Sequence, residues 1–473
     1  MTQTPFDLVI VGGGIAGMCA ALRAPAGARV VVIDKGASGA GSSPLAQGGM
    51  AAAVGPEDSP DLHAADTIAA GAGLCDADVV KDVCAEGPAA VDWLLSLGCA
   101  FDRDERGALH LAREGGQTVA RSVHERDATG ATLVRGLRDA LSSRDVERVR
   151  ARADALLCGP DGCTGVMAEG RPFTGRATLV ATGGAGGLWG TTTNAPGAAG
   201  DGIVLALLAG AQLADLEFMQ FHPTALGAGA PGGRRALLTE ALRGHGAPLV
   251  DEDGERFVDE LAPRHVVTKA ILERGGAFLD LRGIERLEDL FPTVVASTRA
   301  AGIDPARELV PVAPAAHYFI GGIAADAWGR TSIPGLYAAG ECASTGMHGA
   351  NRMAGNSLLE TVVVGARAGQ RVAAEEARGA GLPTVGAAAP PAGLAAILWS
   401  RAGPIRDAAG LDAARAEIAA LAAGGHTALA SMIVSAAAAR LESRGVHIRS
   451  DFPDPAEAFA ARSFDARPAA MRD

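Results

Sequence analysis

Three glycines near the start of the chain have the spacing of a dinucleotide phosphate site. Gly12, Gly14 and Gly17 lie between an apolar segment and a segment of helical character. Gly12 allows a tight turn, Gly14 lets backbone approach a pyrophosphate, and Gly17 lets the helix pack closely on the strand. The amino end of that helix then faces the phosphate charge. Since a glycine-rich turn also occurs without any ligand, the motif depends on its surroundings.

The surroundings predict a strand–helix–strand unit. Residues 7–11 form an apolar strand, the helix extends to Arg23, and residues 29–34 form a second strand. Asp34 closes that strand twenty residues after Gly14, where an acidic side chain can bind ribose hydroxyls. Such a unit is the local basis of a parallel sheet, so we predict a bound dinucleotide.

A second set of polar residues suggests a pocket for a ligand with two carboxylates. The set contains His222, Thr239, Arg264, His317 and Arg352. Arginine binds a carboxylate through two parallel hydrogen bonds, and histidine and threonine add donors. Taken separately, each residue is more often a surface arginine or a hydrogen-bonded core histidine. The prediction therefore depends on the set as a whole.

Two further segments leave alternatives open. Residues 337–341 form a strand that ends in Gly340-Glu341, where a carboxylate can bind the ribityl chain of FAD; taken alone, the segment is better explained as an ordinary strand and turn. The polar loop at residues 42–49 can wrap a flavin or simply connect two elements, and spacing does not decide between these.

Bulk properties exclude several classes of protein. The chain has 473 residues, which predicts two or three domains. A net charge of −12 argues against nucleic-acid binding. The seven cysteines are scattered without a CxxC pair, as in a reducing cytosol, and we find neither a signal peptide nor an apolar run for a membrane span. We predict a cytoplasmic protein with no metal site.

The elements that must position these residues indicate an α/β fold. Segments 177–181 and 336–339 read as strands of the same Rossmann-like sheet as residues 7–11, although they lie far apart. The intervening part then forms an inserted α+β domain. After a linker at 379–393, segments 411–421 and 431–443 predict a small C-terminal helical domain. The predicted boundaries are 1–235 and 321–389 for the Rossmann-like domain, 236–320 for the insertion and 390–473 for the helical domain.

The sequence resembles the fumarate reductase/succinate dehydrogenase flavoprotein family, and within it the branch that oxidises L-aspartate. The resemblance extends from residue 7 to about 453 and implies that the Rossmann-like domain binds FAD while the insertion caps the site. The motifs that carry it, in order, are AQGG (46–49), REGG (113–116), DATG (127–130), QFHPT (220–224), LAPR (261–264), HGANR (348–352) and ESRG (442–445).

The resemblance implies a role for each matching residue. Arg264 matches the catalytic arginine that donates or accepts a proton beside the flavin. The substrate-binding positions are Glu114, Gln220, His222, Thr239, Glu240, His317 and Arg352. With the glycine motif and Asp34, the FAD-binding positions are Gly12, Gly14, Ile15, Ala16, Gly17, Asp34, Lys35, Ser42, Ser43, Ala46, Gln47, Gly48, Gly49, Asp201, Glu341, Ser357 and Leu358.

Three positions distinguish members of the family. Membrane-bound respiratory members attach FAD to a histidine five residues before Gln47; here that residue is Ser42, so we expect non-covalent FAD. Glu114 matches a glutamate that faces the substrate amino group, although a solvated loop charge is the alternative. The chain departs from the aspartate-oxidising members at Gln117, where they commonly have histidine, and its C-terminal helical part is short.

The expected activity is oxidation of L-aspartate to iminoaspartate for quinolinate and NAD biosynthesis, with oxygen or fumarate as acceptor. Quinolinate synthase is the expected downstream partner. Two alternatives remain: a soluble fumarate reductase using the same pocket, and a flavin subunit that docks to an electron-transfer partner. The role of Arg264 is also open, because a guanidinium is a poor base near neutral pH. It acts either through its charge or as a proton donor in the reducing direction.

Overall fold

The computed structural model describes residues 4–36, 41–227 and 232–465. None of the helices within these ranges is long and apolar enough to cross a membrane. The helices are α1 (Ile15–Arg23), α2 (Pro60–Ala70), α3 (Ala77–Ala85), α4 (Gly87–Ser96), α5 (Thr129–Ser142), α6 (Asp201–Ala209), α7 (Ala241–Gly244), α8 (Arg264–Arg274), α9 (Leu287–Leu290), α10 (Pro292–Ala300), α11 (Asn356–Arg371), α12 (Leu394–Arg401), α13 (Ala408–Ala419) and α14 (Gly425–Ala439). The strands are β1 (Phe6–Val11), β2 (Val30–Asp34), β3 (Met50–Ala51), β4 (Leu111–Ala112), β5 (Ser122–Val123), β6 (Val146–Arg150), β7 (Ala153–Gly159), β8 (Gly162–Ala168), β9 (Arg171–Val180), β10 (Thr191–Thr192), β11 (Leu213–Ala214), β12 (Met219–Leu226), β13 (Gly233–Arg234), β14 (Leu249–Val250), β15 (Ala277–Leu279), β16 (Val310–Phe319), β17 (Gly322–Ala324), β18 (Leu336–Ala338), β19 (Ala343–Ser344), β20 (Leu382–Pro383), β21 (Ile405–Arg406), β22 (Ile448–Arg449) and β23 (Phe464–Asp465).

The largest sheet is built around the predicted strand–helix–strand unit. Strand β1 lies between β2 and β9 in parallel register, β6 extends the sheet beyond β2, and β18 pairs with β9. The apolar residues of β1 and β2 are buried, as expected for parallel strands covered on both faces. The strands predicted at 177–181 and 336–339 therefore join one sheet, and the α/β class with a Rossmann-like core is confirmed.

A second sheet forms the framework of the inserted part. Its order is β13-β10-β16-β15-β14, with β12 also pairing with β16. Helix α8 packs on β12 and β16, and a separate cluster of buried apolar side chains extends from Leu226 to Val312. This arrangement is the expected α+β insertion. Strands β10 and β12, which precede residue 236, belong to the same sheet, and the exact domain boundaries stay a proposal.

The C-terminal part is helical, but its helices begin earlier than the sequence pattern predicts. Helix α13 begins at Ala408 because the Asp407 carboxylate caps it, accepting a hydrogen bond from the Gly410 N–H at 2.7 Å. Helix α14 begins at Gly425, where the Thr427 hydroxyl accepts from the Gly424 N–H at 2.9 Å. The segment predicted as a linker contributes β20, which pairs with β7 at the edge of the first sheet.

Gly17 is required where α1 crosses β1, and its replacement should destabilise the protein. A Cβ at Gly17 would lie 2.1 Å from the Gly12 carbonyl oxygen, a backbone atom that no side-chain rotation can remove. We expect Gly17→Ala to lower the free energy of unfolding by roughly 1–3 kcal/mol, despite the better helix propensity of alanine. Thermal unfolding measures this loss. Gly283→Ala is the control, because nothing lies within 4 Å of a Cβ there; equal melting temperatures for the two variants would contradict the packing role.

Candidate active site

A cavity of about 680 Å³ joins the glycine turn to the polar set, a size typical of ligand-binding clefts. It lies where the first sheet meets the inserted part. Its walls include most of the sequence-predicted positions, namely Gly12, Gly14, Ile15, Ala16, Asp34, Lys35, Ser42, Ser43, Ala46, Gln47, Gly48, Gly49, Glu114, His222, Thr239, Glu240, Arg264, His317, Glu341, Arg352, Ser357 and Leu358.

Three predicted residues lie behind the cavity wall. Gly17 packs against the Gly12 carbonyl, which is the close helix–strand contact expected of it. Asp201 begins α6 and binds Lys35 at 2.7 Å and the His426 ring at 3.1 Å. Gln220 is fully buried and acts on the cavity through the two arginines described below. These residues support the wall.

The end of the cavity near β1 fits a dinucleotide. Gly12 has a φ of +109°, and a Cβ there would lie 2.3 Å from the Ala181 carbonyl oxygen, so this turn needs glycine. Asp34 shapes the turn, because its carboxylate accepts hydrogen bonds from the N–H groups of Gly13 at 2.9 Å and Gly36 at 3.0 Å. The side-chain oxygen of Gln47 is buried in the wall, and none of the residues that the structure describes donates to it, which suits a ligand with an N–H group, as a flavin ring has.

Two arginines, the buried Arg264 and the partly buried Arg352, face the opposite end of the cavity. Arg264 is the first residue of α8, and Arg352 lies in the loop before α11. Gln220 on β12 joins them: its side-chain oxygen accepts from Arg264 Nη1 at 3.0 Å, and its nitrogen donates to the Arg352 carbonyl at 2.8 Å. Burial and the nearby Arg264 charge lower the pKa of Arg352 to about 10, so it stays a cation at neutral pH. Two fixed cations favour a ligand with two negative charges.

Two histidines on neighbouring strands complete this end. His222 on β12 and His317 on β16 meet edge to face, with ring centroids 5.0 Å apart. Burial, followed by the Arg264 charge, holds the pKa of each imidazole well below its usual range, so both rings are neutral. The Thr224 N–H donates to His222 Nδ1 at 3.3 Å, which leaves the ring proton on Nε2. His222 is therefore a neutral hydrogen-bond donor.

Glu240 holds the side chain of Arg264 in place. Its carboxylate accepts from Arg264 Nε at 2.7 Å and from the Gly115 N–H at 3.0 Å, and Arg243 lies 3.4 Å away. Burial disfavours the charged form, but the Arg264 and Arg243 charges outweigh it and lower the pKa of Glu240 to about 2. The carboxylate stays ionised and fixes the guanidinium of Arg264.

Glu114 is the second carboxylate at this end. It lies between β4 and β5, and its Oε1 accepts from the Gly49 N–H at 2.9 Å. Burial raises the pKa of this side chain, opposed by the Gly49 hydrogen bond. The buried position excludes the alternative of a solvated loop charge. A carboxylate here can pair with a positive group on a ligand.

Sequence reasoning missed several residues that shape the site. The Tyr318 ring lies under the Arg352 guanidinium at 4.9 Å, a cation–π contact, and its hydroxyl lies 3.2 Å from His348. The Thr193 hydroxyl lies 2.8 Å from His317 Nδ1. The sequence could have suggested Tyr318, because it directly follows the predicted site residue His317. Nothing in the sequence suggests Thr193, because its contact with His317 depends on the pairing of β10 with β16.

Known proteins are similar to this chain in sequence and in fold. Residues 7–358 match the FAD binding domain family, and residues 420–466 match the fumarate reductase flavoprotein C-terminal family. The L-aspartate oxidase of Caulobacter vibrioides is 46% identical over 98% of this chain and 97% of its own length. The L-aspartate oxidase of Mycobacterium tuberculosis is 44% identical over 94% of this chain and 92% of its own.

Among solved structures, E. coli quinol fumarate reductase FrdA superposes with a TM-score of 0.90 at 27% identity, covering 99% of this chain and 96% of that chain. Mycobacterium smegmatis Sdh1 gives a TM-score of 0.81 at 28% identity, covering 96% and 90%. These matches and the cavity that fits a dinucleotide identify FAD as the cofactor.

Proposed function

The chain belongs to the fumarate reductase/succinate dehydrogenase flavoprotein family, and from this premise we propose that it oxidises L-aspartate to iminoaspartate with bound FAD. The observation that carries the proposal is the pairing of two arginines, one buried and one partly buried, with a buried glutamate in one cavity. Arg352 and the two neighbouring histidines suit the carboxylates of the substrate, Arg264 adds a second positive charge beside them, and Glu114 suits the ammonium group. L-aspartate has these three charges, and the curated L-aspartate oxidases align over nearly the whole chain.

We assign roles to the side chains from their contacts. Arg352, His222, His317 and Thr239 hold the carboxylates, the histidines as neutral donors. Arg264 is the catalytic residue, fixed by Glu240 and Gln220 so that its charge faces the reacting carbon. When bound, FAD accepts the two electrons of the oxidation, and oxygen or fumarate regenerates it. Burial of the polar set keeps water from competing for these charges.

The test is turnover by the purified chain alone. A flavin absorbance spectrum together with oxidation of L-aspartate, in the absence of any other protein, is the expected result. A protein that reduces fumarate but leaves L-aspartate unchanged would instead be a soluble fumarate reductase. A flavin spectrum with neither activity would indicate a subunit that needs an electron-transfer partner.

FAD should be held without a covalent bond. Ser42 lies in the cavity wall with its hydroxyl accepting from the Ala195 N–H at 3.1 Å, and a hydroxyl does not form the flavin link that histidine forms in the respiratory members. Acid precipitation of the purified protein should release all of the yellow colour into the supernatant. Flavin that stays in the pellet would contradict the prediction.

We also propose the cellular context. The seven cysteines are all free thiols, which suits the reducing cytoplasm. The imine product hydrolyses readily, so an enzyme that consumes it must act soon after its formation. We propose quinolinate synthase in that role, as a step toward NAD.

A further inference from the structure

The turn that carries Glu114 is held by the side chain of Gln117. The Gln117 N–H donates to the Glu114 carbonyl at 3.2 Å, and Gly116 between them has a φ of +85°. The turn is therefore a tight reversal with glycine where a left-handed backbone is needed. Gln117 itself is buried, so its amide must find partners inside the protein.

The Gln117 amide finds partners on both sides of the turn. Its oxygen accepts from the Glu114 N–H at 3.0 Å, and its nitrogen donates to the Ser122 hydroxyl at 2.9 Å. Since a backbone N–H can only donate, the amide oxygen must face Glu114. Ser122 belongs to β5, which pairs with β3 directly after Gly49.

The Glu114 carboxylate is hydrogen-bonded beside the same short sheet. Glu114 Oε1 accepts from the Gly49 N–H, and Gly49 directly precedes β3. The backbone of Glu114 is thus tied to β5 through Gln117, and its side chain is tied to the residue before β3. Removing the Gln117 amide would break the hydrogen bonds that link the Glu114 backbone to β5. It would also leave the buried Glu114 N–H without its side-chain acceptor.

We propose that Gln117 is a positioning residue that aims the Glu114 carboxylate at the substrate ammonium and so sets the preference for an amino dicarboxylate over succinate or fumarate. The inference rests on the proposed function. Gln117 lies outside the cavity wall, so it acts through Glu114 and not by touching the ligand. A fumarate molecule has no ammonium, and its binding by the arginines and histidines does not depend on Glu114.

The first test compares two ligands on three proteins: the half-saturation of anaerobic flavin reduction measures the affinity for L-aspartate, and flavin-absorbance titration measures the affinity for fumarate. Gln117→Met keeps the length of the side chain and removes its hydrogen bonds, whereas Gln117→His keeps one donor and one acceptor. Gln117→Met should lower the affinity for L-aspartate about tenfold and change the affinity for fumarate by less than about twofold. Gln117→His should recover most of the affinity for L-aspartate. Equal weakening of both ligands would make Gln117 a purely structural residue and overturn the inference.

A double-mutant cycle decides whether Gln117 acts through Glu114. In a Glu114→Gln background, Gln117→Met should cause almost no further loss of aspartate affinity, because the group that it positions is already neutral. A full additional loss would overturn the inference. The wild type separates this failure from that of the proposed function: a wild type that does not turn over L-aspartate rejects the function itself, whereas an active wild type with an unaffected Gln117→Met rejects only the role of Gln117.

Discussion

Arg264→Leu is expected to lower the turnover of L-aspartate by roughly 10²- to 10³-fold, the usual loss when a charge aimed at a transition state is removed. FAD should remain bound, because Arg264 lies at the substrate end of the cavity, away from the glycine turn. The kcat should fall more than the KM rises, as for an interaction made mainly in the transition state. Steady-state kinetics and the flavin spectrum of the purified variant measure both effects.

The neighbours of Arg264 make a control necessary. Its loss leaves Glu240 with Arg243 as its remaining close cation, at 3.4 Å, which raises the pKa of Glu240 toward its ordinary value. Arg274→Leu, at the exposed far end of the same helix, tests whether any change in α8 has this effect. It should stay near wild-type activity. An Arg264→Leu variant with near-wild-type turnover would remove this residue from the mechanism.

The same variant separates the two roles left open for Arg264. If the residue acts through charge in aspartate oxidation and as a proton donor in fumarate reduction, Arg264→Leu should impair fumarate reduction more than aspartate oxidation. Reduction needs both the charge and the proton, whereas oxidation needs only the charge. Equal losses in the two directions would indicate a purely electrostatic role.

The sequence predicts local secondary structure and the residues that belong to recognisable motifs. The unit β1–α1–β2 follows from an apolar segment, a glycine turn and a second apolar segment, and each end lies within one residue of its predicted position. Helix ends are less certain, because the Asp407 cap that starts α13 lies outside the apolar pattern. The sequence does place residues 220–224 beside the site, but the pattern does not reveal that they lie in a strand.

The sequence does not predict protonation states and hydrogen bonds that depend on burial and on contacts between distant parts of the chain. The neutral state of His222 follows from burial beside Arg264, 42 positions away in the chain. The bridge from Gln220 to Arg352 joins residues separated by 132 positions. Asp34 illustrates the limit: its position predicted a ribose contact, and the structure adds two backbone hydrogen bonds that shape the turn.

Glu114→Gln is expected to weaken L-aspartate binding by about ten- to hundredfold, because a charge-assisted hydrogen bond is worth roughly 1.5–3 kcal/mol. Glutamine has the shape of glutamate and can still accept the Gly49 N–H, so the turn should keep its geometry. Succinate and fumarate should bind equally or more tightly, since a repulsive carboxylate is lost. The half-saturation of anaerobic flavin reduction measures L-aspartate binding, and titration of flavin absorbance measures succinate and fumarate binding. Glu125→Gln, a partly exposed carboxylate later in the same segment, should leave both affinities unchanged.

The pH dependence of binding gives the same prediction a second, independent measurement. Burial raises the pKa of Glu114 above its ordinary value, so on acidification the carboxylate is protonated earlier than a solvated glutamate. Below that pKa, aspartate must displace a proton to gain its ammonium partner, and its Kd should rise by up to about tenfold per pH unit until it levels off about ten- to hundredfold higher, at the loss expected for Glu114→Gln. Above that pKa, the Kd should be flat. Glu114→Gln should abolish this acid limb for aspartate and leave the fumarate profile as in the wild type. If the loss of aspartate affinity at acid pH persists in Glu114→Gln, another group is responsible for the titration. If Glu114→Gln lowers the affinities for aspartate and fumarate equally, Glu114 is only a structural residue.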